Sequence, residues 1–160
     1  NWKSKGENNS GYFSIELIKP IMPRFFDDKK RSICILAASS ILKILLPERQ
    51  RNKKIYMLFE NLMKEISHKD WIKSYIFWEF NLIKELGYEI ESLDKNEKIS
   101  INGRLFNIPK ILLTQNDINF SNSDFRDALS FNSNLLIENF ISPNKLKFPS
   151  SRNLLEKYFR

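Results

Sequence analysis

The sequence predicts a mainly α-helical fold, an antiparallel helical bundle with a small β-hairpin insertion and one remnant strand of a preceding domain. Two observations carry this prediction. Apolar residues recur at helical spacing in three consecutive segments that are joined by short polar turns. Further on, an Asn-Gly pair separates two short alternating segments. With 160 residues, of which 42% are hydrophobic, the chain is long enough to bury a core.

The first element, over residues 12–18, has the alternating pattern of a β-strand, because its apolar side chains occupy every second position. A single strand can neither satisfy its backbone groups nor bury one face. We therefore predict that its partner strands precede Asn1. Pro20 and Pro23 then end the strand and begin a linker.

The first two helices are predicted from continuous apolar stripes. Asp27 and Asp28 suit the positive end of the first helix dipole, and Pro47 excludes Leu46 from helical conformation, so the helix ends there. Asn52 is the expected cap of the second helix. The stripes consist of Ile33, Leu36, Ala37, Ser40, Ile41, Ile44 and Leu45, and of Ile55, Leu58, Phe59, Leu62, Met63 and Ile66.

The third helix is predicted to begin after Asp70, a favourable cap, and to end at Gly87, which accepts the left-handed conformation of a helix terminus. Its aromatic row has two interpretations. Tyr75 is assigned to the core, whereas Trp71 fits either the core or an exposed surface on which a nucleobase stacks.

Residues 87–120 are polar and are interrupted by Gly103 and Pro109. Within them, Lys98–Phe106 is predicted to form a β-hairpin that turns at Asn102 and Gly103. Two helices follow this region. The first is predicted from apolar residues between Phe125 and Phe140.

The ends of these last two helices are also marked in the sequence. Ser121 and Asp124 have the spacing of a capping box at the start of the fourth helix, and Pro143 ends it. We expect Ser150 or Ser151 to cap a short final helix.

The residue inventory argues against an enzyme. The chain has one histidine, His68, in a polar turn, and its glycines have neither phosphate-loop nor dinucleotide-binding spacing. Cys34 is expected to be a buried, inert thiol. We therefore predict no catalytic residue, no metal site and no cofactor. A divalent-metal nuclease using Asp27 and Asp28 is the enzymatic alternative, although the helix dipole already accounts for that pair.

The formal net charge of +7 is unevenly distributed: residues 1–84 carry +7, residues 85–142 carry −4 and residues 143–160 carry +4. Nucleic acid or an acidic peptide would suit the basic parts, but a basic, simply soluble protein fits the composition equally well. Phosphate binding would require at least two basic clusters on one face. The clusters are Lys29, Lys30 and Arg31, then Arg49, Arg51, Lys53 and Lys54, and finally Lys145, Lys147 and Arg152.

Several segments resemble the RecO family of bacterial DNA repair and recombination mediator proteins, especially its alphaproteobacterial branch. Arg31 to Glu48 resembles a helix and turn of that family. Residues 1–20 are similar to the closing strand of its N-terminal OB domain, and residues 125–152 to its C-terminal helices. The motif Y-x-x-x-E-x-x-L-L-x-x-L-G-(F/Y) is matched by Tyr75, Glu79, Leu82, Ile83, Leu86, Gly87 and Tyr88.

The resemblance implies a division of the chain. Residues 1–20 would be the terminal strand of a mostly missing OB domain, and residues 21–160 a RecO-like C-terminal helical domain. Within it, residues 87–120 would be a degenerate form of the family's zinc module. Because Glu91 to Gly103 contains no cysteine, zinc is not expected there.

The resemblance also implies a function. Such proteins bind single-stranded and duplex DNA, anneal strands and partner with RecR. They also bind the acidic, Phe-ending tail of the single-stranded-DNA-binding protein, and so help load RecA at gaps. This implies a cytoplasmic, nucleoid-associated protein with no membrane partner. The alternative is a helical adaptor that binds an acidic peptide tail without binding DNA.

Overall fold

The computed structural model describes residues 2–3, 11–16, 20–88, 98–101, 103–114 and 119–159. These residues form a mainly helical fold, as the sequence predicts, with two small antiparallel sheets. The helices are α1 (Lys29–Leu45), α2 (Lys53–Glu65), α3 (Trp71–Glu85), α4 (Lys110–Leu113), α5 (Asn122–Leu136) and α6 (Ser150–Lys157). The strands are β1 (Trp2–Lys3), β2 (Tyr12–Phe13), β3 (Lys98–Ile101) and β4 (Arg104–Asn107).

The first sheet corrects the prediction for residues 12–18. The strand covers Tyr12–Phe13 alone among the described residues, and it pairs with Trp2–Lys3 of the same chain. Its observed partner therefore does not precede Asn1. The partner was missed because a two-residue strand has no periodicity that a sequence pattern could reveal. Residues 17–19 lie outside the described residues, and the OB domain stays a prediction.

Helix α1 begins where the acidic residues predict. The Asp28 carboxylate caps it by accepting a hydrogen bond from the backbone N–H of Arg31 at 3.0 Å. The buried face is centred on Cys34, Ala37, Ala38 and Ile41. Leu36, predicted to lie on the apolar stripe, is instead 45% exposed, because the apolar surface of α1 is wider than the contact that covers it.

Helices α2 and α3 begin directly after Asn52 and Asp70, as predicted, although neither side chain makes a capping hydrogen bond. Helix α3 is the most deeply buried element, and Tyr75 has no exposed surface. Trp71 is only 7% exposed, so it belongs to the core. Gly87, with φ of +93°, ends the helix as expected.

The hairpin and the capping box are confirmed. Strands β3 and β4 pair in antiparallel register from Lys98 with Asn107 to Ile101 with Arg104, and Asn102 lies outside the described residues. The Ser121 hydroxyl accepts from the Asp124 backbone N–H at 3.3 Å, and the Asp124 carboxylate accepts from the Ser121 N–H at 2.8 Å.

Three elements differ from the prediction. A 3₁₀ turn, Met22–Phe25, and the single-turn α4 were not predicted. Ser150 or Ser151 was expected to cap α6, but Pro149 precedes its first residue and no side chain caps it. The Ser151 hydroxyl lies instead 3.2 Å from Ser40 Oγ, so it connects α6 to α1.

The helices form one core in which α6 packs along α1, α2 packs against α3, and α3 packs against α5. Helix α6 runs antiparallel to α1, because Ser151 near its start lies against Ser40 and Phe159 just beyond its end lies by Lys30. Within the described residues, no helix has the length and apolarity required to cross a membrane.

Candidate nucleic-acid interface

The basic turn, which we define as Arg49, Arg51, Lys53 and Lys54, connects α1 to α2, and all of its side chains are exposed. Arg49 has a left-handed backbone conformation, with φ of +62°. Lys54 lies with its Nζ 3.4 Å from Glu85 Oε2, so the turn also touches the end of α3. A continuous positive surface of this kind attracts phosphate groups.

A groove between α2 and α3 extends this surface. It has a volume of about 480 Å³ and is lined by Lys54, Met57 and Leu58 on one side and by Asn81, Lys84 and the acidic Glu85 on the other. Lys84, which the sequence prediction did not include, therefore lies next to the basic turn. Its Nζ lies 4.6 Å from the centre of the Phe80 ring, which orients the side chain.

The predicted cluster of Lys29, Lys30 and Arg31 divides its residues between two roles. Lys29 and Lys30 are exposed at the start of α1. Arg31 is partly buried, and its Nε donates to the Ile66 carbonyl at 2.8 Å while Nη2 donates to the His68 carbonyl at 3.0 Å. Because Arg31 ties α1 to the turn before α3, its position at a helix N-terminus has a structural explanation despite the unfavourable dipole.

Arg31 also stabilises the cap of its own helix through an ion pair with Asp28. Partial burial opposes ionisation of that carboxyl, but hydrogen bonds from the Arg31 backbone and side chain outweigh it. They hold the pKa of Asp28 below its ordinary value.

The third predicted cluster does not stay together. Lys145 and Lys147 are exposed in the segment that precedes α6, and Lys145 has φ of +52°. Because α6 runs antiparallel to α1, this segment lies toward the end of α1 that leads into the basic turn. Arg152, in contrast, has no exposed surface, so its expected place on a basic surface is wrong.

Arg152 is buried because Glu79 neutralises it. Its Nε donates to Glu79 Oε1 at 2.6 Å, and its Nη2 donates to Glu79 Oε2 at 2.9 Å and to the Leu129 carbonyl at 2.7 Å. The Tyr75 hydroxyl donates to Glu79 Oε1 at 3.1 Å. Burial alone would lower the pKa of Arg152. The Glu79 carboxylate acts in the opposite direction, and the net result is a pKa above the ordinary value.

The cluster at the start of α1 and the basic turn lie at opposite ends of that helix. Lys29 and Lys30 stand at its start and the basic turn follows its end, and a helix of 17 residues separates them by about 25 Å. Further cations lie near each of these two groups. Lys84 lies beside the basic turn, and Lys69 and Lys73 lie at the start of α3. The sequence signal for the latter two was their position on either side of the Asp70 cap.

A further pocket forms where the 3₁₀ turn packs against α2. It has a volume of about 370 Å³ and an apolar lining of Ile21, Phe25 and Met63. Its polar side holds the cations Arg24 and Lys64 together with Glu60, whose Oε1 lies 3.8 Å from Lys64 Nζ. Sequence reasoning missed it because the 3₁₀ turn carries no periodic signal.

The remaining polar groups assemble no metal cluster in the described part of the chain. His68 is exposed and its Nδ1 lies 3.0 Å from Glu65 Oε2. Cys34 is fully buried, and burial raises the pKa of its thiol well above the ordinary value.

Comparison with known proteins finds similar sequences for part of the chain. Residues 27–95 match the family model described as recombination protein O, C terminal. The DNA repair protein RecO of Wolbachia pipientis subsp. Culex pipiens (strain wPip) is 34% identical over 92 residues, and that of Ehrlichia chaffeensis is 32% identical over 92 residues. The RecO protein of Roseobacter denitrificans is 24% identical over 90 residues. No solved structure matches the chain.

The similarity to the C-terminal part of recombination protein O thus covers residues 27–95, less than half of the chain. The alignments with the Wolbachia and Ehrlichia relatives cover 56% of this chain and only 38% of the length of each relative.

Proposed function

We propose that this protein acts in DNA repair and homologous recombination as a non-enzymatic mediator that binds DNA. The observation that carries the proposal is the basic turn: four exposed cations within six residues, with no acidic residue among them. Each can neutralise a phosphate, and together they act on any sequence, as a mediator of recombination requires. The relatives named DNA repair protein RecO support the same role.

The finer parts of the proposal are strand annealing and loading of RecA at gaps, together with RecR and the acidic tail of the single-stranded-DNA-binding protein. The pocket of Ile21, Arg24, Phe25 and Met63 supports the last partner. An apolar cavity with flanking cations suits an aromatic residue that carries a terminal carboxylate, because a buried carboxylate must be paired. An Arg24→Glu variant should lose an acidic, Phe-ending peptide in a fluorescence titration and keep its DNA binding.

The central test is a titration of a fluorescent single strand with the 160-residue chain at several salt concentrations. Replacing all four residues of the basic turn by Gln should weaken binding and reduce the slope of log K against log salt by up to about 3, since each lost phosphate contact removes about 0.7. A matched variant loses four exposed lysines elsewhere: Lys64, Lys98, Lys110 and Lys157.

The control should change the slope less, because its lysines are dispersed over several elements. Equal losses in both variants would show that net charge alone attracts DNA. Peptide binding without any DNA binding by the unmodified chain would favour the adaptor instead.

A further inference from the structure

The end of the bundle opposite the basic turn has a surface pocket of about 380 Å³ between the starts of α3 and α5. It combines cations, hydrogen-bonding groups and aromatic rings in one place. Lys69 and Lys73 contribute positive charge, Asp70 and Asn119 contribute polar groups, and Phe120 and Phe125 contribute rings.

The rings of this pocket belong to a continuous series, which we call the aromatic end: Trp71, Phe120, Phe125 and Phe159. Their centroids are 6.4 Å apart for Phe120 and Phe125, 5.8 Å for Phe125 and Phe159, and 6.3 Å for Phe159 and Trp71. Trp71 and Phe159 are buried, whereas Phe120 and Phe125 are partly exposed. The two inner rings therefore support two outer rings that a ligand can reach.

Cations accompany the series along its length. Lys73 Nζ lies 5.6 Å from the Phe120 ring centre, and Lys30 Nζ lies 5.2 Å from that of Phe159. The Arg31 guanidinium lies 5.7 Å from the Trp71 ring centre. Of these three rings, Phe120 is the accessible one, so Lys73 and Phe120 are the pair that places a cation beside a ring that an unstacked base can reach.

We propose that this pocket binds an unpaired nucleotide of a DNA strand, with its base stacked on Phe120 and its phosphates near Lys69 and Lys73. The inference rests on the proposed DNA-binding function and adds a second site to it. Asn119 and Asp70 would hydrogen-bond to the edge of the base. Asp70 is exposed and makes no capping hydrogen bond to α3, so its carboxylate can accept from a base amino group.

The chemistry of the pocket favours a single strand over two other ligands. A paired base is stacked inside its duplex and cannot lie on a protein ring without being extruded. An acidic peptide offers neither a base to stack on Phe120 nor a base amino group from which Asp70 can accept. Stacking itself tolerates any base, because every base has a π-face.

The test compares Phe120→Ala with Phe120→Trp in the 160-residue chain, using a fluorescent oligothymidine and a blunt duplex of equal length. Phe120→Ala should weaken single-strand binding about 5- to 100-fold and leave the salt slope unchanged, because stacking releases no counterions. Duplex binding should not change, and Phe120→Trp should retain single-strand binding. Leu105→Ala, which truncates a side chain 72% exposed in the hairpin, is the control for loss of apolar surface.

A second variant and a measurement on the unmodified chain do not depend on the stability of Phe120→Ala. Lys69→Gln combined with Lys73→Gln should reduce the single-strand salt slope by about one unit. A strand containing iododeoxyuridine should crosslink on irradiation to the peptide that carries Phe120 and Phe125.

Crosslinks confined to the basic turn would overturn the inference, as would equal losses of single-strand and duplex binding in Phe120→Ala. Loss of an acidic peptide, but not of DNA, in that variant would assign the pocket to a peptide instead. If the unmodified chain binds no DNA at all, the proposed function itself fails. If the basic-turn variant loses DNA binding and Phe120→Ala does not, only the second site fails.

Discussion

Arg49 combines an exposed positive side chain with a backbone conformation that L-residues seldom adopt, with φ of +62°. A non-glycine residue there costs about 1 kcal/mol in conformational energy. We predict that Arg49→Gly leaves the free energy of unfolding unchanged or raises it by up to about 1 kcal/mol. It should nevertheless weaken DNA binding, because one phosphate contact is lost. Urea unfolding and single-strand titration measure the two effects.

The comparison variant is Arg51→Gly, whose backbone has negative φ and gains no relief from glycine. It should weaken DNA binding similarly without any gain in stability. An Arg49→Gly variant that is clearly less stable than the parent would show that the Arg49 side chain contributes contacts that outweigh the backbone cost.

The buried Cys34 thiol and the buried Tyr75 hydroxyl make the free energy of unfolding depend on pH in the alkaline range. Burial, and secondarily the Glu79 carboxylate, raises the pKa of Cys34 above its ordinary 9.0 and that of Tyr75 above its ordinary 10.0. At pH 7 both groups are protonated whether the chain is folded or unfolded. As pH rises further, the unfolded chain releases protons that the folded chain keeps, so the free energy of unfolding decreases by at most about 1.4 kcal/mol per pH unit for each group.

We predict that Cys34→Ala makes this decrease shallower between pH 9 and 10, although it also lowers stability at all pH values by leaving a small cavity. Urea unfolding at intervals from pH 7 to 10.5 measures the slope. An identical slope in both proteins would contradict the prediction.

At the residue scale, sequence reasoning succeeds where the interaction is local. The Asp28 cap and the Ser121 capping box join residues three positions apart, and such motifs are specified by adjacent residues alone. Arg152 was misplaced because a cluster of charges does not reveal burial. A signal existed, since Arg152 shares one helical face with Leu155 and Phe159, while Glu79 lies within the apolar row of α3.

At the element scale, the Arg152–Glu79 ion pair fixes α6 against the core. Both side chains have no exposed surface, and removal of one partner would leave a buried charge unpaired. We predict that Arg152→Ala lowers the free energy of unfolding by about 3–5 kcal/mol. Asn153→Ala, at the neighbouring exposed position, should change it by less than about 0.5 kcal/mol.

The combination of Arg152→Met with Glu79→Leu tests whether the charge pair or the packing matters. Replacing a buried pair by apolar residues of similar volume is often neutral, so the double variant should recover much of the loss. A double variant as unstable as Arg152→Ala would contradict this, and would indicate that the hydrogen bonds to Leu129 and Tyr75 dominate.

Among elements, α1, α2, α3 and the β3–β4 hairpin were predictable because each extends over enough residues to display a period or a turn signature. The pairing of Trp2–Lys3 with Tyr12–Phe13, the Met22–Phe25 turn and α4 were not, since each has only two to four residues. Short elements are determined by what they pack against, and a local pattern contains no such information.

On the scale of the whole molecule, the candidate binding surfaces depend on which ends of helices meet. The sequence located the basic turn because its residues are adjacent, but it could not locate the aromatic end. There, Lys30 approaches Phe159 and Lys73 approaches Phe120 only because α6 runs antiparallel to α1 and α3 packs against α5. The separation of Lys29 and Lys30 from the basic turn follows instead from the length of α1, whose 17 residues run between them.

This separation has a measurable consequence for a strand long enough to reach both ends. The two groups of cations lie about 25 Å apart, which exceeds both the screening length of about 10 Å at 0.1 M salt and the range over which substitutions usually couple. One variant has Gln in place of all four residues of the basic turn, and another has Gln in place of Lys29, Lys30 and Lys69. We predict that the reductions in salt slope caused by the two sets add in the combined variant.

Fluorescence anisotropy with a long single strand, at four or more salt concentrations, gives the four slopes that this comparison needs. A strand too short to span the molecule should show no such addition, because it occupies one end at a time and the better end dominates. If the combined variant has the same slope as one of its parents even with the long strand, DNA contacts a single end. The cations at the other end would then serve only to keep the chain in solution.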